Sequence, residues 1–236
     1  MTPAYEGADS ACEERIKAAG FILAGGTSSR MGRDKALLEL DGVPLVVRTA
    51  RLFEVLVADV TVVGPREHYA PFGLRGIADY SRDSDAEGQR EGPLAGIIAA
   101  LTNSAAPWNL IVACDLPYLS HDWLNWILCR ASSSEKLAVV PCAGRGPEPL
   151  AAVYRRECGP LLISAFSAGI RKVTEALSDL DVEFVDSAEW HSVDPTGKVL
   201  TNMNVYEDYL EAKTHYELRS GGNKTISPPT QRERKY

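Results

Sequence analysis

Short apolar runs alternate with amphipathic segments along most of the chain. The runs at 20–25, 59–64 and 108–115 are rich in Val, Ile and Leu and are bounded by Gly or Asp, which is typical of buried strands. The segments at 44–56 and 93–103 each begin with Pro and repeat apolar residues every three or four positions, which predicts helices. This alternation predicts parallel βαβ units and an α/β fold: a single doubly wound, mostly parallel sheet flanked by helices.

The same pattern continues toward the C-terminus. Further strands are predicted at 74–79, 136–141, 149–155 and 181–186. Further helices are predicted at 120–132 with Ser120 as N-cap, at 158–178 with a break near Gly169, and at 204–217. Such sheets bind ligands beyond the carboxyl ends of their strands, so the residues that follow each strand are the candidates for function.

The two ends of the chain differ from this pattern. Residues 1–16 are polar and acidic and predict a loose leader, whereas residues 17–213 form the predicted folded domain. Residues 214–236 are rich in Gly, Pro, Ser and charge, which predicts a disordered tail. No run approaches the roughly 20 apolar residues of a membrane span, and no signal peptide is apparent. We therefore expect a cytoplasmic protein.

Composition narrows the classes of function. The chain has 236 residues and a formal net charge of -7, which disfavours binding to nucleic acid or to an anionic membrane. Its five cysteines include no Cys-x-x-Cys pair, so we interpret them as reduced thiols rather than zinc ligands. A chain of this length buries enough apolar surface to fold without a disulfide or a structural metal.

The first predicted strand runs into a segment that combines glycine with cations. Gly25 and Gly26 follow the strand, and Arg30 and Lys35 come soon after. Glycine lets the backbone approach a ligand closely, and backbone N–H groups can then hold a phosphate or the edge of a base. Arg30 and Lys35 would neutralise a polyphosphate there. The spacing fits neither a P-loop nor a Gly-x-Gly-x-x-Gly motif, and a solvated surface turn is the alternative.

Two aspartates and a helix start belong to the same edge of the predicted sheet. Asp115 ends a buried strand and could supply a carboxylate to Mg²⁺, although a turn or N-cap aspartate has the same pattern. Asp79 follows another strand and is a candidate for contact with a ribose hydroxyl or a metal. Gly92 and Pro93 open a helix whose positive end would favour an anion.

Five stretches in a fixed order carry a resemblance to a known family. They are residues 23–48, 92–101, 113–119, 148–155 and 201–210. In this order they resemble molybdenum cofactor guanylyltransferase, whose family has a Rossmann-like nucleotidyltransferase fold. The resemblance covers residues 19–212, nearly the whole predicted domain. The first stretch occurs in looser form in many nucleotidyltransferases, whereas the ordered set is much more specific.

The resemblance implies a role for each matching residue. The implied contacts of the guanine and ribose are Leu23, Ala24, Gly25, Gly26, Gly92, Pro93 and Gly96. Asp79 matches a nucleotide-contacting aspartate. Arg30 and Lys35 match contacts of the triphosphate, Asp115 matches the Mg²⁺ ligand, and these three are the implied catalytic residues. Asn202 and Asn204, which could also be helix caps, match an Asn-x-Asn motif near the pterin.

The implied reaction transfers GMP from GTP to the terminal phosphate of molybdopterin or the molybdenum cofactor, with Mg²⁺, and releases pyrophosphate. The implied partners are GTP, the pterin substrate, and molybdoenzymes or cofactor-delivery proteins as recipients. Three alternatives stay open: a molybdopterin cytidylyltransferase, another small-phosphate nucleotidyltransferase, and a non-catalytic carrier of nucleotide or pterin. The Leu-Ala-Gly-Gly and Gly-Pro-Leu-Ala-Gly segments favour the guanylyl form.

Overall fold

The computed structural model describes residues 16–24, 34–81 and 92–219. Its strands are Ala18–Leu23 (β1), Glu39–Leu40 (β2), Val43–Pro44 (β3), Val60–Val63 (β4), Arg75–Ile77 (β5), Trp108–Ala113 (β6), Ala138–Ala143 (β7), Gly146–Pro147 (β8), Ala151–Arg155 (β9) and Val182–Asp186 (β10). Its α-helices are Leu45–Glu54 (α1), Arg66–Tyr69 (α2), Pro93–Thr102 (α3), His121–Ser132 (α4), Cys158–Ser167 (α5), Val173–Ala176 (α6) and Tyr206–Arg219 (α7). Each strand and helix that the sequence predicts is present, with ends shifted by a few residues.

Strand β1 lies inside the main sheet. The described strands of this sheet follow the order β10-β7-β9-β6-β1-β4-β5, and β8 pairs with β7. Neighbouring strands are parallel except at β9, which is antiparallel to β6 and β7, and at β8, which is antiparallel to β7. This confirms the predicted α/β class with a mostly parallel sheet flanked by helices, and β9 makes the sheet mixed.

The register of the sheet places several strand ends at one edge. Leu23 at the end of β1 pairs with Val63 of β4 and with Ala113 of β6. Strand β9 runs the other way, and its first residue, Ala151, pairs with Val112 near the end of β6. The edge that holds the carboxyl ends of β1, β4 and β6 therefore also holds the amino end of β9.

Helices cover both faces of the sheet. Alternate residues of β1 point to opposite sides: Ile22 belongs to one apolar cluster and Phe21 to the other. Phe53 of α1 is fully buried in the first cluster, and Ile98 of α3 is fully buried in the second. Burial of each such side chain contributes about 1.5–3 kcal/mol. The two layers hold the sheet between them and fix the position of its edge.

A short hairpin formed by β2 and β3 was not predicted from the sequence. Asp41 and Gly42 form its turn, and both have positive φ, 53° and 72°. An Asp-Gly pair is favoured in such turns because both residues tolerate this backbone conformation. The hairpin directly follows the 3₁₀ turn at Lys35–Leu37 and precedes α1.

Helix α7 runs past residue 213, where the sequence predicted the folded domain to end. The hydroxyl of Tyr216 donates to the backbone oxygen of Pro117 at 2.6 Å and anchors the last turns of the helix. Residues 214–219 are helical, so helical structure continues beyond the predicted domain end at residue 213. Residues 1–15 and 220–236 lie outside the described residues. Within the described ranges, no helix has the length and apolar character needed to cross a membrane.

Candidate active site

A pocket of about 550 Å³ lies at the carboxyl edge of the sheet, beyond β1 and β6. Each sequence-predicted site residue that the structure describes lines it: Leu23, Ala24, Lys35, Asp79, Gly92, Pro93, Gly96, Asp115, Asn202 and Asn204. These residues are far apart in the chain, so the fold brings them together. Gly25, Gly26 and Arg30 lie outside the described residues, and their roles stay predictions.

Lys35 lies where three parts of the pocket meet. Its Nζ donates to the backbone oxygen of Met203 at 2.8 Å and lies 3.5 Å from Asn204 Oδ1. The same Nζ is 3.8 Å from Asp115 Oδ2. The ammonium group thus faces the end of β6 and the segment before α7 at once. A cation held there can neutralise a phosphate bound in the pocket.

Asp115 joins the end of β6 to the segment before α7. Its backbone oxygen accepts the N–H of Met203 at 2.9 Å. Burial raises the pKa of the Asp115 carboxyl, and the charge of Lys35 opposes that rise. Because burial dominates, Lys35 alone does not offset the cost of keeping the carboxylate ionised. An additional cation would favour the ionised form.

The start of α7 fixes the backbone around Asn204. The carboxylate of Asp208 accepts the N–H groups of Asn204 and Val205 at 2.6 and 2.9 Å. These hydrogen bonds lower the pKa of Asp208. The sequence pattern is also typical of a helix cap at Asn202 or Asn204. At this helix start, however, it is the Asp208 carboxylate that accepts the N–H groups of Asn204 and Val205. Both asparagines line the pocket.

The start of α3 forms a narrow corner of the pocket. Gly92 has φ of 80°, a conformation that favours glycine, and Pro93 opens the helix directly after it. A Cβ at Gly96 would lie 3.3 Å from Leu23 Cδ2 and 3.4 Å from Asp79 Oδ1. Because Gly96 has no side chain, Leu23 and Asp79 can pack closely against the first turn of α3 in this part of the pocket wall.

The pocket also includes residues that the sequence analysis did not single out. Asp34 lies beside Lys35, and Glu148 lies just before β9. Burial raises the pKa of the Glu148 carboxyl, the charge of Asp115 adds to the rise, and Arg145 opposes it. Glu148 belongs to one of the stretches that carry the family resemblance, so the signal was present. Its position could not be inferred because the direction of β9 was unknown.

The donor atoms around Asp115 are oxygen atoms of the kind that magnesium prefers. Asp115 and Glu148 contribute carboxylates to the pocket, and Asn202 and Asn204 contribute amides. In the described ranges, no three His, Cys, Asp or Glu side chains are grouped so that they could hold a metal. Such a set fits an ion that takes one or two protein carboxylates and completes its shell with substrate phosphates and water.

The fold and the pocket together define an α/β nucleotidyltransferase, with a lysine, a carboxylate and a glycine-initiated helix at the carboxyl edge of the sheet. The family model of the MobA-like NTP transferase domain matches residues 20–189. The chain belongs to this family.

Individual relatives agree with this assignment. The chain is 34% identical over 191 residues to a probable molybdenum cofactor guanylyltransferase of Nostoc sp., covering 80% of this chain and 86% of that relative. It is 30% identical over 203 residues to a protein of the same name from Pelotomaculum thermopropionicum, covering 86% and 95%. The crystal structure of molybdopterin-guanine dinucleotide biosynthesis protein A from Archaeoglobus fulgidus has the same fold, with a TM-score of 0.71 at 23% identity over 86% of this chain and 100% of that one.

Proposed function

We propose that this chain transfers GMP from GTP to the terminal phosphate of molybdopterin or of the molybdenum cofactor. The products would be the guanine dinucleotide form and pyrophosphate. The observation that carries the proposal is the position of Lys35, 3.8 Å from Asp115 and 3.5 Å from Asn204. The family resemblance assigns these residues to the triphosphate, the metal and the pterin, so the nucleotide and its acceptor would meet at one point. The names of the relatives support the same reaction.

The acceptor phosphate needs no general base. A phosphate monoester has a second pKa near 6 and is largely dianionic at neutral pH. One of its oxygens would form a bond to the α-phosphorus of GTP, while the bond from that phosphorus to the bridging oxygen breaks and pyrophosphate leaves with the electron pair. The obstacle is repulsion between two anions, so catalysis depends on positioning and on neutralisation of charge. The resemblance predicts that Lys35 and Arg30 neutralise this charge, and the position of Lys35 in the pocket supports this role.

The pocket suits a magnesium ion. Asp115 would hold it, and Glu148 and the amide oxygens of Asn202 and Asn204 are further oxygen donors in the same pocket. When bound, magnesium supplies additional neutralisation of phosphate charge. The protein's own part is to keep the Asp115 carboxylate ionised and in place, and the ammonium group of Lys35 contributes to both.

The corner at Gly96 supports guanine as the base. An ionised carboxylate accepts hydrogen bonds and cannot donate them. The Watson–Crick edge of guanine offers two neighbouring donors, N1–H and the 2-amino group, whereas that of cytosine offers one. Asp79 packs against Gly96 in the pocket wall, close to the apolar side chain of Leu23. A contact between the Asp79 carboxylate and the base would favour GTP over CTP.

A location in the cytoplasm and handover of the product to molybdoenzymes or cofactor-delivery proteins are part of the proposal. The handover is supported by the chemistry of the product, a cofactor that acts inside other enzymes, and the location in the cytoplasm stays a prediction. The alternatives are a cytidylyltransferase, another small-phosphate nucleotidyltransferase and a non-catalytic carrier.

Binding of nucleoside triphosphates separates these functions. The melting temperature of the purified chain would be measured with GTP, CTP, ATP and UTP, each with Mg²⁺. A ligand at about 100 times its Kd stabilises by about 2.7 kcal/mol, which for a chain of this size raises the melting temperature by about 5–10 °C. We expect this shift with GTP alone. A shift with CTP alone would contradict the guanylyl assignment, and no shift with any nucleotide would contradict nucleotidyl transfer.

A further inference from the structure

The hydroxyl of Tyr69 lies between two residues of the pocket wall. Tyr69 ends α2 and is fully buried. Its hydroxyl is 2.9 Å from the backbone oxygen of Ala24 and 3.0 Å from Asp34 Oδ2. One hydroxyl carries one proton, so the proton is shared between two acceptors or directed to one of them. Ala24 and Asp34 both line the pocket.

These two acceptors come directly before and directly after residues 25–33 in the chain. Residues 25–33, which lie outside the described residues, carry the glycines and Arg30 that the sequence predicts to hold the nucleotide. The chain enters this segment from Ala24 and leaves it at Asp34. A single buried hydroxyl therefore contacts the residue before the segment and the residue after it.

Asp34 passes this anchoring on to Lys35. Its Oδ1 accepts the N–H of Ala36 at 3.0 Å and caps the 3₁₀ turn that begins at Lys35. Its Oδ2 lies 3.1 Å from His68 Nδ1, in addition to its contact with Tyr69. Both oxygens of this carboxylate are thus occupied by contacts within the protein, which suits a residue that holds the backbone in place.

The ring of Tyr69 has little room to move. A Cβ at Gly64 would lie 3.2 Å from Tyr69 Cε2 and 3.4 Å from both the Tyr69 hydroxyl and the carbonyl carbon of Ala24. The backbone of Gly64 has φ of 153°, which also favours glycine. The N–H of Ala24 in turn donates to the backbone oxygen of Val63, the residue before Gly64, at 2.9 Å. The hydroxyl and its carbonyl partner are both fixed by the end of β4.

We propose that Tyr69 is a positioning residue for the nucleotide: its buried hydroxyl ties Ala24 and Asp34 to one point and so fixes this wall of the pocket and the turn that begins at Lys35. The inference rests on the proposed nucleotide site and adds a specific residue to it. Fixing the wall of a binding pocket before the ligand arrives lowers the conformational entropy lost on binding. Tyr69 does not line the pocket, so it acts through Ala24 and Asp34 rather than on the nucleotide itself.

The test is Tyr69→Phe, which removes the hydroxyl and keeps the ring. We expect the Kd and the KM for GTP to rise about tenfold, the usual scale for one lost buried hydrogen bond, while kcat at saturating GTP stays within about threefold. Asp34→Asn replaces the carboxylate acceptor with an amide. If the two residues act as a unit, the double variant should bind GTP about as weakly as either single variant, rather than about 100-fold more weakly.

Tyr154→Phe is the matched control. Tyr154 is equally buried, its hydroxyl donates to the backbone oxygen of Pro149 at 2.7 Å, and neither residue lines the pocket. We expect it to lower the melting temperature as Tyr69→Phe does while leaving the Kd for GTP within about twofold. A Tyr69→Phe protein with an unchanged Kd for GTP would overturn the inference.

Titration with CTP in parallel separates the two proposals. A wild-type protein that binds CTP alone contradicts guanylyl transfer. A tenfold loss of CTP affinity in Tyr69→Phe would still support the role of Tyr69.

Discussion

At the scale of single residues, Asp115 combines a position in the pocket wall with a cost in stability. Burial raises the pKa of its carboxyl, and Lys35 opposes this rise without cancelling it. The ionised side chain therefore destabilises the folded protein in the absence of ligand. Residues that serve binding rather than folding commonly have this property, because the missing charge is supplied by the substrate or its metal.

Asp115→Asn should therefore reduce activity and increase stability. We expect kcat to fall by about 100-fold or more, as when one electrostatic contact to a phosphoryl group is lost. We expect the melting temperature at pH 7 to rise by about 1–4 °C. The folded pKa lies above the ordinary value of 3.8, so the wild-type protein loses stability as pH rises between these two pKa values. The higher melting temperature of Asp115→Asn should therefore disappear as the pH falls from the folded pKa of Asp115 to its ordinary value.

Asp122→Asn serves as the control, because the Asp122 side chain is 80% exposed on α4. It should change neither kcat nor the melting temperature appreciably. Turnover by Asp115→Asn close to that of the wild type at saturating Mg²⁺ would remove Asp115 from the site, and a loss of stability at every pH would contradict the effect of burial.

At the scale of elements, α7 supports the pocket from outside the sheet. Asp208 holds the N–H groups of Asn204 and Val205, and Lys35 donates to the oxygen of Met203 in the same segment. The helix pattern at 204–217 was predictable from its spacing of apolar residues. The contact from Asp208 back to Asn204 was not, because both asparagines are also good N-caps. The β2–β3 hairpin was missed because two-residue strands are too short to show an alternating pattern.

Asp208→Ala tests this support. We expect it to lower the melting temperature by about 2–4 °C, as for a lost helix cap, and to lower kcat more than GTP affinity because Asn204 is proposed to contact the acceptor. The pKa of Asp208 is lowered, so its contribution to stability is present above its ordinary pKa and is lost as the pH falls through the folded value. Thermal unfolding of both proteins across this pH range should show the two curves converging in acid.

Glu211→Ala is the control on the same helix, since Glu211 forms a surface ion pair with Lys198 at 2.9 Å. Such exposed pairs contribute little to stability, and kcat should not change. If both variants had the same kinetic constants as the wild type, Asp208 would have no part in positioning Asn204.

At the scale of the whole molecule, the class of fold could be predicted and the direction of one strand could not. Alternating apolar runs and helices predicted a parallel sheet, and the register of β1, β4 and β6 places their ends at one edge as expected. Strand β9 lies antiparallel between β6 and β7. Its direction could not be predicted, because a buried apolar run has the same sequence pattern in either direction. This reversal brings Glu148 to the pocket. A pocket position could be predicted for Asp115 because it follows a parallel strand, whereas the position of Glu148 depends on the direction of β9.

Formation of the dinucleotide is the most direct test of the central proposal. The purified chain would be incubated with Mg²⁺, molybdopterin and GTP labelled at the α-phosphate, with Asp115→Ala as the inactive control. We expect the label to appear in a molybdopterin guanine dinucleotide, with one pyrophosphate released for each molecule formed, and CTP to give no product. Transfer from CTP alone, or GTP binding without any labelled dinucleotide, would contradict guanylyl transfer by this chain.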